Sequence, residues 1–480
     1  LSLKSKTISG AGWSGAGNIA RQAFQIITLM VMARFLSPEV FGTYAILMIF
    51  VQFMNIFGSM GIPQVIIHLD NPDQRMLSSV FFLNMVVGVV LFICLYFLAR
   101  PIAMFFGNSE ITHLLQIIGI IFIITSLTLV QKALLEKSML FKNVIIIETI
   151  SIFVGSATGI VFAVIGFGIY SLIIMSLLRP TLLSIGLWLN SSWRPSFQFS
   201  LHDIKKVWNY AFNLTGFSII NYFARNADNF LIGKFIGSSG LGVYSIGYKI
   251  LLYPIENISG ILVRVLFPAF SKIKYDNIRF KSAYVNSISY IAIITFPVMA
   301  GLFAVSSTFV PVVFGDKWVG LGKLLMILAP IGMIQSVVTT VGSIYTAKGT
   351  TSLMFKIGGL NALITVLSFV IGLPYGIHGV AIAYAIANLI MLYPNLKFAW
   401  KQIDLKVTEG IISLMPYFMT SAIMAIIVYF QGFLLKNEGI NNIVILFIQI
   451  LSGILIYFGV LLFFYREKVL SLWIILRSRS

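Results

Sequence analysis

Arg21, Arg179, Arg225, Lys249, Arg264 and Lys323 are the cations that stand within long apolar runs rather than between them. A cation in hydrocarbon is costly, so each needs an acidic neighbour, a wet cavity or an anionic ligand. Asp228 follows Arg225 by one helical turn, a spacing that suits either a structural ion pair or a transport pair that a substrate opens. Arg21 has no acid in its own run and needs a partner from elsewhere or an anionic ligand. At 100° per residue, Ser14, Asn18, Arg21 and Gln25 project within about 60° of one another. Lys249, Glu256 and Arg264 fall within about 80° on a later run. A third stripe, Gln52, Asn55 and Ser59, is uncharged. Such stripes must face one another or water. The economical arrangement is a hydrated cavity between two helical lobes, able to take a charged, polar cargo. The candidate binding residues are therefore Asn18, Arg21, Gln25, Asn55, Asn221, Arg225, Asp228, Lys249, Glu256 and Arg264. Glu148 is a candidate proton carrier.

Other chemistries find no support. "GAGWSG" (10–15) fits G-x-G-x-x-G in form, but no strand precedes it, and small residues there suit close helix packing. His68, His113, His202 and His378 lack metal-ligand spacing, so no metal is expected. No Walker motif, Ser-His-Asp set or paired-carboxylate signature stands out, so the expectation is a protein without cofactor or catalytic residues. The single cysteine, Cys94, lies inside an apolar run and reads as a small core hydrophobe.

The elements that must position these groups are membrane helices. The 480 residues are 59% hydrophobic and 10% charged, with mean hydropathy +0.97. A soluble domain carries about 25% charge. A spanning helix needs about 20 apolar residues. Such runs lie near 10–34, 42–66, 77–98, 112–131, 144–166, 168–189, 208–233, 241–266, 283–305, 320–345, 353–373, 377–398, 411–431 and 442–465. About 22 of the 33 Lys and Arg residues, Lys132 among them, fall in alternate loops, and about five in the other set. By the positive-inside rule both termini are cytoplasmic. The net charge of +18 is thus juxtamembrane anchoring on membrane lipids, not nucleic-acid binding. The basic and apolar stretch 270–281 reads as interfacial. The chain begins at Leu1, and its first run has no small-residue cleavage site, so no cleavable signal is expected.

A shift of 200 residues superposes "RFLSPEVFGTYAI" (34–46) on "KFIGSSGLGVYSI" (234–246). Further on, "MLFK" (139–142) resembles "LMFK" (353–356), and "GIY" (168–170) matches "GIH" (376–378). Each unit therefore holds six spans. An even number gives both units the same orientation, related by an axis along the membrane normal. The expected fold is an all-α polytopic membrane protein of about 14 transmembrane helices, two parallel six-helix repeats plus two C-terminal helices. Its parts would be an N-terminal lobe (1–190), a cytoplasmic linker (191–207), a second lobe (208–400), and two further helices with a basic tail (401–480).

"ARFLSPEVFGTYAI" (33–46), "ARNADNFLIGKFIGSSGLGVYSIGYKILLYP" (224–254) and "VLFPAFSKI" (265–273) resemble bacterial polysaccharide exporters of the Wzx type. These belong to the multidrug/oligosaccharidyl-lipid/polysaccharide flippase superfamily, and the chain is most similar to its colanic-acid and teichuronic-acid exporter branch. The resemblance covers essentially the whole chain. It implies lobes around a V-shaped cavity, alternating access, and transfer of a polyprenyl-pyrophosphate-linked oligosaccharide to the outer leaflet of the bacterial cytoplasmic (inner) membrane. That step serves surface polysaccharide biosynthesis, such as O-antigen, lipopolysaccharide or exopolysaccharide. It also implies pyrophosphate contact by Arg21 and Arg264, a lipid-tail groove at spans 411–431 and 442–465, and a polysaccharide polymerase as partner. The coupling ion, H+ or Na+, stays open. Asp228 and Glu256 are the carboxylates best placed to carry one. Moving one negative charge outward gains about 2.3 kcal/mol per 100 mV. A drug/cation antiporter on the same scaffold is the alternative, and a membrane-embedded polymerase a third. The first needs acids in the N-terminal lobe, whereas the first-span stripe carries Arg21; the second needs longer outer loops.

Overall fold

Asp73 and Asp276 each start a helix of more than thirty residues, and each does so by accepting a hydrogen bond from a backbone N–H three residues on, at 3.0 Å. That satisfies one of the four N–H groups a helix start leaves free. The two helices occupy corresponding places in the two halves of the sequence. The computed structural model of the chain describes residues 21–59, 66, 72–200, 219, 222–223, 225–259 and 270–477, with side chains to residue 464. In chain order the helices are α1 (21–35), α2 (Pro38–Ser59), α3 (Gln74–Phe106), α4 (Glu110–Ile118), α5 (Ile120–Ser126), α6 (Leu129–Lys137), α7 (Phe141–Val164) and α8 (Ile169–Asn190). There follow α9 (225–235), α10 (Ser238–Pro254), α11 (Asn277–Val313), α12 (Val319–Val338), α13 (Val341–Lys348), α14 (Thr351–Gly372), α15 (Gly376–Trp400), α16 (Val407–Asn437) and α17 (Asn442–Arg477).

The described residues contain no strand, and the described parts of the fourteen expected runs are largely helical. Ten stretches among them are long and apolar enough to cross a membrane. Their outward faces carry large apolar side chains such as Phe97, Leu189 and Phe463, each more than 70% exposed, which only lipid can cover at low cost. The chain divides into two compact units, 1–242 and 243–480.

The repeat is visible as local structure. Helix α1 ends at residue 35 and α2 resumes at 38; α9 ends at 235 and α10 resumes at 238. "GIY" and "GIH" each open a helix beside a glycine of positive φ, Gly168 and Gly376. Within the first unit, α2 and the first turns of α10 touch backbone to backbone. A methyl on Gly42 would stand 1.6 Å from the Ser238 carbonyl oxygen, and one on Gly242 would stand 1.8 Å from that of Pro38. The partners exchange at the 200-residue lag, so this crossing is reciprocal. Only glycine admits it.

Spans four and ten are both broken, and in the same manner. Residues 127–128 separate α5 from α6, and 339–340 separate α12 from α13. In each break the second residue is a threonine whose hydroxyl donates to the carbonyl three residues back at 2.7 Å, Thr128 to Thr125 and Thr340 to Val337. Each short helix that follows ends in lysine, Lys137 and Lys348. Irregular backbone at membrane depth persists only where protein or water satisfies it.

The expected linker begins as extended chain laid on α3. Ser196 and Ser200 donate their N–H groups to Ser78 and Ser79 at 3.0 and 2.8 Å, and Trp193 donates to Gln74 at 2.7 Å. In the second unit the stretch read as interfacial buries Phe270 and Phe280, stacked at 4.8 Å, while Tyr275 and Ile278 point outward. One face is thus rooted and the other is free for headgroups.

Candidate functional site: a shared carboxylate in the first unit

Arg21 has found an acid on another helix. Its guanidinium donates to Glu148 on α7, which also accepts from Lys132 Nζ on α6 at 2.6 Å. Lys132 lies 3.9 Å from Glu136, one turn further along α6. Two cations therefore share one carboxylate, with a second carboxylate held loosely at the edge. The cluster is neutral in sum. Side-chain exposure runs from 16% at Arg21 to 36% at Lys132, so the groups are sheltered without being sealed.

The local sequence explains the convergence. Glu148 lies seven residues into α7, roughly 10 Å along its axis. The break at 127–128 starts α6 afresh and sets the direction of its residues, Lys132 included. Phe24 packs on Phe153 with ring centroids 4.8 Å apart, one turn beyond the ion cluster on both helices, and fixes α1 against α7. Chemically, a carboxylate shared by two cations occupies the place that a phosphate oxygen would take.

The charge count along the sequence places Lys132 among the inner-loop residues, but it sits on α6 with its ammonium on Glu148. It and Glu136 are the members that sequence reasoning missed. The available signal was the pair Lys132–Glu136 at i,i+4 at the end of an apolar run.

The other candidates are dispersed. Gln25 is exposed on α1, one turn from Arg21. Arg225 is exposed on α9 and Asp228 is buried, 2% exposed, its carboxylate accepting from the Asn229 N–H at 2.7 Å. Lys249 and Glu256 are exposed, Lys249 on α10 and Glu256 on the π-helical turn Ile255–Ser259 that follows Pro254. Such turns recur at functional sites. Asn55 is half-buried on α2. Asn18, Asn221 and Arg264 lie outside the described residues.

Arg179 is a second sheltered cation. It lies ten residues from the start of α8, roughly 15 Å along the axis and near mid-span. Its guanidinium donates to Ser156 and lies 3.3 Å from the Met175 sulfur, and its Nε has no partner. No acid pairs with it among the described residues. Those residues also contain no group of His, Cys, Asp and Glu side chains able to hold a metal.

The family model described as polysaccharide biosynthesis protein matches residues 31–323, more than half of the chain. The chain belongs to this polysaccharide biosynthesis protein family. Teichuronic acid biosynthesis protein TuaB of Bacillus subtilis (strain 168) is 28% identical over 470 residues, 97% of each chain. Lipopolysaccharide biosynthesis protein WzxC of Escherichia coli (strain K12) is 27% identical over 91% of this chain and 90% of its own. Among solved structures, the inward closed conformation of lipid II flippase MurJ superposes with TM-score 0.75, at 20% identity, over 96% of this chain and all of that one. An inward-facing multidrug resistance MATE transporter of the MOP superfamily reaches 0.64 over 80% and 98%. At 20% and 15% identity these two establish the fold. The family member described here is thus a multi-pass membrane protein with the fold of that superfamily.

Proposed function

We propose that the chain is a flippase. It carries a polyprenyl-pyrophosphate-linked oligosaccharide from the inner to the outer leaflet of the bacterial cytoplasmic membrane by alternating access, with both termini cytoplasmic. The observation that carries this reading is the shared carboxylate. Arg21 and Lys132 hold one anionic oxygen pair between them, and a pyrophosphate offers the same geometry with more charge. Glu148 then acts as a placeholder. It keeps the cations neutralised while the site is empty and returns when the ligand leaves, so the site is not a permanent trap. The names of similar proteins point the same way, since they include a succinoglycan biosynthesis transport protein of Rhizobium meliloti (strain 1021), 27% identical over 328 residues.

The antiporter reading gains one observation, because Glu148 and Glu136 put acids into the N-terminal lobe after all. Each is already matched by a cation, however, and a cationic drug would have to displace Arg21 or Lys132 rather than fill a vacant charge. The deciding experiment is reconstitution into liposomes with a fluorescent polyprenyl-pyrophosphate oligosaccharide, followed by its accessibility to an external quencher. Protein-dependent transfer of the lipid, with no uptake of cationic dyes, is expected. Dye exchange without lipid transfer would overturn the proposal. The same vesicles under a proton or sodium gradient assign the coupling ion.

A further inference from the structure

The break in the fourth span opens on a cavity of about 280 Å³ inside the first unit. Its wall joins Asn55, Asn84, Thr125, Ser126 and Thr128 to an apolar side that includes Leu91 and Phe122, and among the described residues it holds no charged side chain. That volume lies just under the roughly 300–1,000 Å³ of sites for drug-sized ligands, the scale of one sugar ring rather than a chain of them. We propose that this cavity is a carbohydrate site that takes a neutral sugar ring of the cargo. The proposal rests on the flippase reading, because it assigns to the same substrate the part that the cation pair does not hold.

The hydrogen-bonding pattern selects the ligand class. Thr125, Ser126 and Thr128 donate their hydroxyl protons to the carbonyls of Ile121, Ile123 and Thr125 at 2.9, 2.7 and 2.7 Å. Their oxygens keep lone pairs and accept from a ligand. Asn84 spends an N–H on the Ser126 carbonyl at 2.8 Å. The Asn55 amide has no hydrogen-bond partner among the described residues, so it supplies both a donor and an acceptor. Acceptors and one free amide on one side, with apolar carbon on the other, match a sugar ring, which offers O–H donors at its edge and C–H groups on its face. A cation would need a carboxylate here, and an acyl chain would leave the Asn55 amide unpaired.

Position supports the assignment. Lys132, one of the two cations on Glu148, lies on α6 one turn after Thr128, and its N–H bonds the Thr128 carbonyl at 3.0 Å. Cavity and cation pair thus flank one break, as do sugar and phosphate at the head of a glycolipid. Broken helices at such depth mark substrate sites in transporters.

The second unit shows that the break itself needs no open space. There the Thr340 hydroxyl meets that of Tyr284 at 2.7 Å, and Trp400 Nε1 donates to Tyr284 at 3.2 Å. Both aromatics are fully buried. One copy of the device is plugged by aromatic packing, whereas the other leaves a cavity whose polar side is amides and hydroxyls. The difference is a choice of side chains, not a demand of folding.

Equilibrium binding of tritiated methyl hexosides and N-acetylhexosamine glycosides to the full chain in detergent tests the proposal. Gly58 lines the cavity, and among the described residues a carbon added to it would meet nothing closer than 3.5 Å, so Gly58→Leu starts a side chain into the space from a position that tolerates its first carbon. Wild type should bind at least one of these glycosides saturably. Gly58→Leu and Asn55→Leu should each weaken that binding at least tenfold at an unchanged melting temperature. Absence of saturable binding by wild type, or undiminished binding by both variants, would overturn the assignment. The assay uses no lipid and no translocation, so its failure is distinct from a failure of lipid transfer.

Discussion

Replacing Glu148 by glutamine preserves the size of the side chain and removes the charge that Arg21 and Lys132 share. An exposed ion pair contributes about 0–1 kcal/mol, and breaking a buried one costs about 3–5 kcal/mol. With Glu148 21% and Lys132 36% exposed, the interaction falls between these limits, at about 1–3 kcal/mol. A phosphate entering the wild-type site must displace this carboxylate, whereas in Glu148→Gln it need not. At 1.4 kcal/mol per tenfold, inorganic pyrophosphate should bind the variant about 5- to 150-fold more tightly. The same lost interaction lowers stability, so melting temperature and anion affinity move in opposite directions. Calorimetric titration of pyrophosphate into the detergent-solubilised chain reads the affinity, and Arg21→Gln, which removes half of the cation pair, should weaken it. If Glu148→Gln binds pyrophosphate no more tightly than wild type, the carboxylate is not a placeholder and the reasoning fails.

Two further outcomes follow from the packing. Gly42→Ala and Gly242→Ala each put a carbon within 2 Å of a carbonyl oxygen and should each destabilise by about 1–3 kcal/mol. Because one separation of α2 from α10 relieves both clashes, the double variant should cost less than the sum by at least about 0.5 kcal/mol; additive losses in denaturant unfolding would show that the crossing is not shared. Arg179→Met removes a mid-span cation whose Nε is unsatisfied, and the melting temperature should rise, reflecting about 1–3 kcal/mol. A fall would mean that Arg179 has a counter-charge that the described contacts do not include.

The spans were legible because lipid imposes a length and a composition that few other structures share. The repeat was legible because Gly42 and Gly242 occupy a crossing where no other residue fits, so the sequence must keep them in register. The partner of Arg21 was not. Glu148 is 127 residues away on another helix, and no spacing rule links them. The breaks at 127–128 and 339–340 were hidden for a different reason. Neither contains glycine or proline, and both interrupt runs that read as continuous apolar helix. The hint was the cluster Thr125, Ser126 and Thr128 in a span that otherwise needs no hydroxyls, three side chains that bond back to their own helix and can still receive a guest. Asn55 lines a cavity within the first unit, a place that its stripe on α2 alone does not reveal.

If Arg21 and Lys132 receive the pyrophosphate during transfer, removing both must slow it. The measurement is to reconstitute wild type and the Arg21→Gln/Lys132→Gln double variant side by side and follow a fluorescent polyprenyl-pyrophosphate oligosaccharide across the bilayer. The double variant should insert at normal yield and lose at least tenfold in transfer rate. Transfer at the wild-type rate with both cations gone would contradict it.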